Sequence, residues 1–400
     1  MATPDSKIHR GLLSVAAYAG MFVFGIVMAL LGTILPVLSA RLEFQASSIG
    51  TLFLVMNFAM LASSLLLGVA MDRFGMKPPL AAGPLLVAAS LVMILRADTF
   101  AALIPTAVLL GVGGGALNGA TNTLVADLHD EPKRKSSALN VLGVFFGFGA
   151  LFLPFTIGAL LVALGLEYLL LFAALLCIAA GVFSAVLRFA PPKQRQQVPF
   201  AAMPRFIRSP LVLFAAVLLF FQSGVEFTLG GYIATYLTNA MGLAVSSASF
   251  VLAGYWAALM VSRIALSRML LGGDPHRFVA LCALTACAGA VLTVVASSPA
   301  LAAAAIVFTG LALAGIYPTV LGITGAEFRE HSGTVFGLLF TVALTGGMTL
   351  PWVAGKAAQA AGLRWVFVIV AVSFGAIFVL GRLIARPAQI RRRLLTDEQI

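Results

Sequence analysis

Glu226 sits where a sequence of this kind has least room for charge. It lies inside FQSGVEFTLGGYIATYL (221–237), an apolar run in a chain with 14 Asp and Glu among 400 residues. A carboxylate at the centre of a lipid-facing helix costs about 3 kcal/mol on insertion scales. It must therefore face water, carry a proton or have a partner. Three chemistries fit: a proton carrier that ionises when its surroundings open to water, an acceptor for solute hydroxyls, or half of a structural ion pair. Gln222, four residues earlier, shares its helical face. Arg263 is the only basic residue well inside an apolar run. Counted from the ends of the runs, it lies about 12 Å from Glu226 along the membrane normal. Direct pairing is left open by that distance, and Arg263 at an inner gate, bound to helix C-terminal carbonyls, is the other reading.

Further polar groups fall inside other runs. Asn118 and Asn122 stand four apart in GVGGGALNGATNTLVADL and share a face. Asn57, Asn140, Tyr255, Trp256, Tyr317 and Thr345 add hydrogen-bonding or stacking groups. Each alone also reads as interhelical glue, but together they outnumber what packing requires.

These residues need a membrane scaffold to position them. Hydrophobic residues make up 61% and charged residues 10%, against about 45–50% and about 25% in soluble domains. Twelve apolar spans are read at roughly 11–38, 47–71, 79–96, 99–127, 136–162, 166–188, 211–238, 245–270, 277–297, 300–326, 333–360 and 364–385. The runs are continuous rather than alternating, which excludes a β-barrel and leaves helices, whose backbone groups are satisfied internally. The first run is too long for a signal-peptide core and is expected to be retained. With the N-terminus inside, 20 Lys and Arg fall on the cytoplasmic side and four (Arg41, Arg96, Lys356, Arg364) on the other. Both termini are thus expected to be cytoplasmic.

The net charge of +11 follows this loop asymmetry and not a basic stripe, so nucleic-acid binding is set aside. Cys177, Cys282 and Cys287 lie in apolar runs, and the four histidines have no partner at ligand spacing; no metal site or cofactor is expected. GVGGGALNG lacks the Lys-Ser/Thr of a phosphate loop. No nucleophile–base arrangement points to an enzyme.

APPKQRQQVPFAAMPRFIRSP (190–210) is basic, Pro-rich and without apolar period, and reads as a cytoplasmic linker between two six-helix bundles, 1–189 and 211–400. The halves repeat. At an offset of 199 residues Gly25, Gly32, Ile34, Leu38, Ser47 and Ser48 fall on Gly224, Gly231, Ile233, Leu237, Ser246 and Ser247. Near the end of each half the offset slips to 197, so that Pro154 meets Pro351 and Gly165-Leu166 meets Gly362-Leu363. Six spans per half put both halves into the membrane the same way round: a parallel repeat.

GVAMDRFGMKPP (68–79), between spans 2 and 3, resembles the signature loop of the major facilitator superfamily, here carried by Gly68, Asp72, Arg73, Gly75 and Lys77. The resemblance covers nearly the whole chain. It implies an all-α membrane protein of twelve helices, alternating access and secondary-active solute transport, with Gly68, Asp72 and Arg73 latching the cytoplasmic side. The corresponding loop SRMLLGGDPHR keeps a glycine turn and Arg268 but lacks an Asp at the place that matches Asp72. GVEFTLGGYIATYL, the Gly- and Asn-rich span 4 and IYPTVLG are similar to the fucose–proton symporter and sodium-linked glucose transporter branch. That implies a monosaccharide or polyol as solute, a proton as coupling ion with sodium as the alternative, and a monomer in the plasma (inner) membrane. The drug–proton antiporter element is incomplete in span 5, where Pro154 lacks its preceding glycine; export of amphipathic compounds is the alternative, and a non-transporting receptor the remote one. On the latch reading, Asp72→Asn slows initial solute uptake into proteoliposomes roughly tenfold, the scale of a lost helix-end charge interaction. An unchanged rate removes the latch.

Overall fold

Every described element is a helix, as the lack of hydrogen-bonding solvent inside a bilayer requires. The computed structural model describes residues 4–129, 131–189, 208–269, 274–328 and 332–397. The expected linker therefore lies almost wholly outside the described residues. The helices are α1 (Pro4–Leu42), α2 (Ala46–Phe74), α3 (Lys77–Leu95), α4 (Phe100–Asp127), α5 (Pro132–Val186), α6 (Pro210–Asn239), α7 (Val245–Met269), α8 (Pro275–Val295), α9 (Pro299–Leu313), α10 (Ile316–Glu327), α11 (Ser332–Ala361) and α12 (Arg364–Asp397).

Among the described residues, 11 stretches are long and apolar enough to cross a membrane. One of them, 50 residues at Ser137–Val186, would measure about 75 Å as a single helix, more than twice the hydrocarbon thickness. Gly165 divides it, with φ 76° and ψ 163°, a conformation that disfavours any residue with a Cβ. The arms before and after Gly165 correspond to the expected spans 5 and 6, so the 11 stretches among the described residues are consistent with twelve spans. Expected span 10 is interrupted too: α9 stops at Leu313 and α10 starts at Ile316. Pro318 contributes, because it has no N–H for the carbonyl four residues back.

The repeat is visible in local geometry. α2 starts at Ala46 and α7 at Val245, 199 residues on. Thr99 caps α4 by accepting from the Ala102 N–H, and its equivalent Ser298 caps α9 by accepting from Leu301. Glu43 (φ 51°) and Gly242 (φ 73°), again 199 apart, turn the chain before α2 and α7. Gly165 and Gly362, 197 apart, both have positive φ.

Glycines set the tightest helix crossings. A Cβ on Gly25 of α1 would run into the Phe146 carbonyl and Gly149 of α5, and one on Gly149 into the Phe22 carbonyl. The repeat equivalents behave alike: Gly224 of α6 faces the Gly346 carbonyl of α11, and Gly346 faces the Phe220 carbonyl. In hydrocarbon, where apolar side chains gain nothing by leaving solvent, such backbone approach is a main source of helix association.

The chain forms two compact units. One is Met1–Gln196 with Gly230–Trp256, and the other is Gln197–Leu229 with Ala257–Ile400. The first thus includes the tip of the α6–α7 hairpin. There the Gly230 carbonyl blocks a Cβ on Gly32, Phe53 packs on Gly231, and the Tyr232 hydroxyl donates to the Ala46 carbonyl at 3.2 Å. Tyr232 and Tyr236 are both fully buried.

The glycine contacts give a directional test. Gly25→Ala and Gly149→Ala lower the thermal stability of the detergent-solubilised protein by at least the 1–3 kcal/mol typical of overpacking. Gly143→Ala, in the same helix as Gly149 but with nothing within 4 Å of its Cβ, is neutral or gains up to about 1 kcal/mol of helix propensity. Unfolding curves read by a fluorescent thiol or tryptophan signal distinguish the two classes.

Candidate functional site

In the second unit, the middle of α6 presents Gln222 and Glu226 on one face. The Gln222 Nε2 donates to Glu226 Oε2 at 3.2 Å. From α7, Arg263 Nη2 reaches both carboxylate oxygens at 3.4 Å. Contact at that distance is held by charge more than by a directed hydrogen bond. The Glu226 side chain is 12% exposed and that of Arg263 31%.

The depth expected from sequence placed these charges too far apart for assured pairing, and the helix ends explain the difference. Glu226 is 13 residues from the end of α6 at Asn239, and Arg263 is 18 from the start of α7 at Val245. The axial gap is then about 7 Å, which two extended side chains span. Sequence had fixed the level of Arg263 from the opposite, less definite end of its run.

Tyr317 stands near the start of α10. It follows directly on the α9–α10 interruption. There the Leu311 carbonyl, which a continuous helix would pair with the Gly315 N–H, accepts instead from Ser262 of α7 at 2.8 Å. Ser262 and Arg263 are adjacent, so one turn of α7 both repairs the broken helix and supplies the cation. Phe340 of α11 lies parallel to Tyr317, with ring centroids 6.3 Å apart and planes within 6°. Phe336, one turn earlier, packs on Phe340. Neither phenylalanine was singled out from sequence; among 30 Phe, only proximity to Tyr317 distinguishes them.

Two atoms at this place have no hydrogen-bond partner: Gln222 Oε1 and Arg263 Nε. Gln222 is fully buried. An unpaired amide oxygen in such a setting costs about 1–3 kcal/mol. Both unpaired atoms are themselves buried, beside a charge pair whose net charge is zero. Thr345, on α11, bonds its own helix through the Val342 carbonyl at 2.7 Å, which is the ordinary behaviour of a helical threonine.

The remaining predicted site residues belong to the first unit. Asn122 Nδ2 donates to the Asn118 carbonyl at 2.8 Å and to Asn118 Oδ1 at 3.1 Å, so these half-buried amides are largely occupied with each other. Asn57 is fully buried, donates to the Phe53 carbonyl at 2.9 Å and leaves Oδ1 unpaired. Tyr255 and Trp256 are buried, with Trp256 edge-on to Phe146 of α5. Asn140 is exposed on α5. Arg73 is exposed over the ring of Phe74, and Gly75 takes φ 77° at the end of α2. Gly68 and Asp72 lie on α2, and the Asp72 side chain is outside what the structure describes. Among the described residues, no group of His, Cys, Asp and Glu is placed to hold a metal ion.

The family model described as Major Facilitator Superfamily matches residues 17–272 and 215–398. Similar sequences include the uncharacterized MFS-type transporter YfkL of Bacillus subtilis (strain 168), 24% identical over all of both chains. They also include the glucose/mannose transporter GlcP of the same organism, 23% identical over 84% of this chain and 86% of GlcP. Among solved structures, a D-xylose–proton symporter superposes with a TM-score of 0.77 at 14% identity, covering 94% of this chain and 96% of its own.

The pair should behave as a coupled unit. Arg263→Ala alone leaves a carboxylate uncompensated and destabilises the protein, and adding Glu226→Gln restores much of the loss. A double-mutant cycle on thermal unfolding should give a coupling on the order of 1–3 kcal/mol. Additive effects would mean that the two charges do not stabilise one another.

Proposed function

We propose that this chain, which belongs to the major facilitator superfamily and is thus a multi-pass membrane transporter, moves a monosaccharide or related polyol by proton-coupled symport. Glu226 is the coupling acid. The observation that carries this reading is the Glu226–Arg263 pair, with Gln222 beside it, in the middle of an otherwise apolar helix. A charge pair in that place is costly, and a titrating role accounts for it. Protonation of Glu226 cancels its attraction for Arg263, so the proton is linked to the contact between α6 and α7.

Three further observations support the solute class. Gln222 Oε1 and Arg263 Nε are buried without partners, an acceptor and a donor that an opening of the cluster would present to hydroxyl groups. The net charge of the pair is zero, which favours a neutral solute. GlcP, a relative over most of its length, is a glucose/mannose transporter. Asn57, with its unpaired Oδ1, and the Asn118–Asn122 pair are assigned to the solute path of the first unit. Asp72 and Arg73 are assigned to its cytoplasmic latch. The 20-to-4 distribution of Lys and Arg favours cytoplasmic termini and the plasma (inner) membrane.

A second reading has its own observation. A pocket of about 570 Å³ between α2 and α4 is lined by Leu54, Val55, Phe58, Leu66, Val108 and Val112 among others, with Ser63 as its polar member. Such a surface suits an amphipathic compound, and on this reading the protein is a proton-coupled exporter.

Solute-evoked proton current in proteoliposomes separates the readings. A panel of monosaccharides and polyols should evoke current in the wild type. Glu226→Gln should abolish it while leaving sugar binding or exchange measurable. Silence toward every sugar, together with proton-driven efflux of a lipophilic cation, would favour export. Sugar transport that follows a sodium gradient instead would replace the coupling ion.

A further inference from the structure

The first unit holds a polar cavity of its own, about 500 Å³ in volume, between the start of α1 and the turn from α4 to α5. Arg10 and Ser14 line it from α1, and His129, Glu131 and Arg134 from the turn and the first residues of α5. Its level follows from where apolar sequence stops. The apolar stretch of α1 starts at Arg10, that of α4 ends at Asp127, and that of α5 starts at Ser137. Three span ends within about a turn of one cavity put it at the depth of lipid headgroups. Leu128, also in its wall, packs on the buried Leu13, Ala16 and Leu187, which ties the turn to α1. Arg10 and Arg134 are both exposed. Arg134 Nε donates to Glu131 Oε2 at 2.8 Å, which uses a single N–H of the guanidinium fork and holds the fork in place. His129 Nδ1 donates to the Val125 carbonyl at 3.1 Å, so Nε2 is the remaining polar atom of its ring. With two guanidinium groups and one carboxylate in the wall, positive charge is in excess even with His129 neutral.

An apolar seam continues from this cavity into the spans of the same two helices. Tyr18 stands one turn beyond Ser14 on α1, and its ring lies flat on Phe145 of α5, with centroids 4.7 Å apart and planes within 1°. On α5, Val141, Phe145 and Phe148 follow Arg134 at spacings that keep all four on one helical face. Phe148 meets Phe145 at 6.5 Å. Val141 is 41% exposed and Phe148 49%, so the protein does not cover the seam. We propose that the cavity binds the headgroup of an anionic phospholipid, with Arg10 and Arg134 holding its phosphate and an acyl chain lying along the α1–α5 seam. A basic recess at the ends of membrane helices suits such a headgroup. The seam is what favours a lipid over a soluble phosphate ester, which needs the arginines and has no use for exposed apolar side chains below them. The site is separate from Glu226 and Arg263 and does not depend on which solute is carried.

The test titrates the detergent-solubilised full-length protein with dioleoyl phosphatidylglycerol, dioleoyl phosphatidylcholine or glycerol 3-phosphate, and reads the retained ligand by native mass spectrometry. Phosphatidylglycerol should be retained at concentrations at least about fivefold below phosphatidylcholine, the scale of one unit charge beside basic side chains. Arg10→Gln and Arg134→Gln should each weaken phosphatidylglycerol about fivefold, and Arg10→Lys, which keeps the charge, should restore most of the loss. Val141→Asp, which puts a carboxylate in the seam, should weaken the lipid and leave glycerol 3-phosphate unchanged. Thermal unfolding of each variant checks that the fold is intact. Equal retention of the two lipids, or retention that ignores both arginine substitutions, overturns the site. Glycerol 3-phosphate held as tightly as phosphatidylglycerol overturns the lipid and makes the cavity a site for a soluble phosphate ester.

Discussion

Hydrocarbon offers no hydrogen bonds, and the rest of the structure depends on that constraint. Each helix satisfies its own backbone, and its hydroxyls are turned inward to the same end. Thr33 bonds Ala29, Thr121 bonds Leu117, Thr228 bonds Gly224 and Thr309 bonds Ala305, each through the carbonyl four residues back. Once polar groups are consumed within helices, association is left to close packing. Gly25 on Gly149 and Gly224 on Gly346 supply it, the same crossing built twice. Places where the rule is broken are therefore informative. Gln222 Oε1 and Arg263 Nε are unpaired, and close by Ser262 takes up a carbonyl freed by the α9–α10 interruption.

Much of this architecture is legible in the sequence because it is carried by type and spacing. Continuous apolar runs specify membrane helices, and the 199-residue offset that links Gly25 to Gly224 also links the capping residues Thr99 and Ser298. The Gln222–Glu226 contact follows from a spacing of four on a helix. What escaped the sequence depends on distances between helices. The level of Arg263 could not be fixed without knowing where α7 begins. The parallel arrangement of Tyr317 and Phe340 needs the start of α10 to be set by its interruption. Likewise, Asn118 and Asn122 share a face as the spacing requires, but spacing does not say that the amides would bond each other. The inclusion of Gly230–Trp256 in the first unit depends on packing between segments about 200 residues apart, and no local pattern encodes it.

The energetics of the ion pair explain why a charge pair, and not a single acid, suits coupling. Insertion scales place each charge at about 3 kcal/mol in mid-membrane. At 3.4 Å, attraction at an effective dielectric near 20 is of the same order, about 5 kcal/mol. The two terms nearly cancel, so the paired state is neither a deep trap nor a large cost. On the proposed coupling, protonation of Glu226 would remove the attraction and leave Arg263 to find other acceptors, solute hydroxyls among them. Proton and solute would then act on the same contact from two sides: one would weaken the pair, and the other would compensate the groups it releases. Without Arg263, protonation would change only the solvation of one carboxyl group. With it, protonation changes what holds α6 to α7, and a local titration acquires a mechanical consequence.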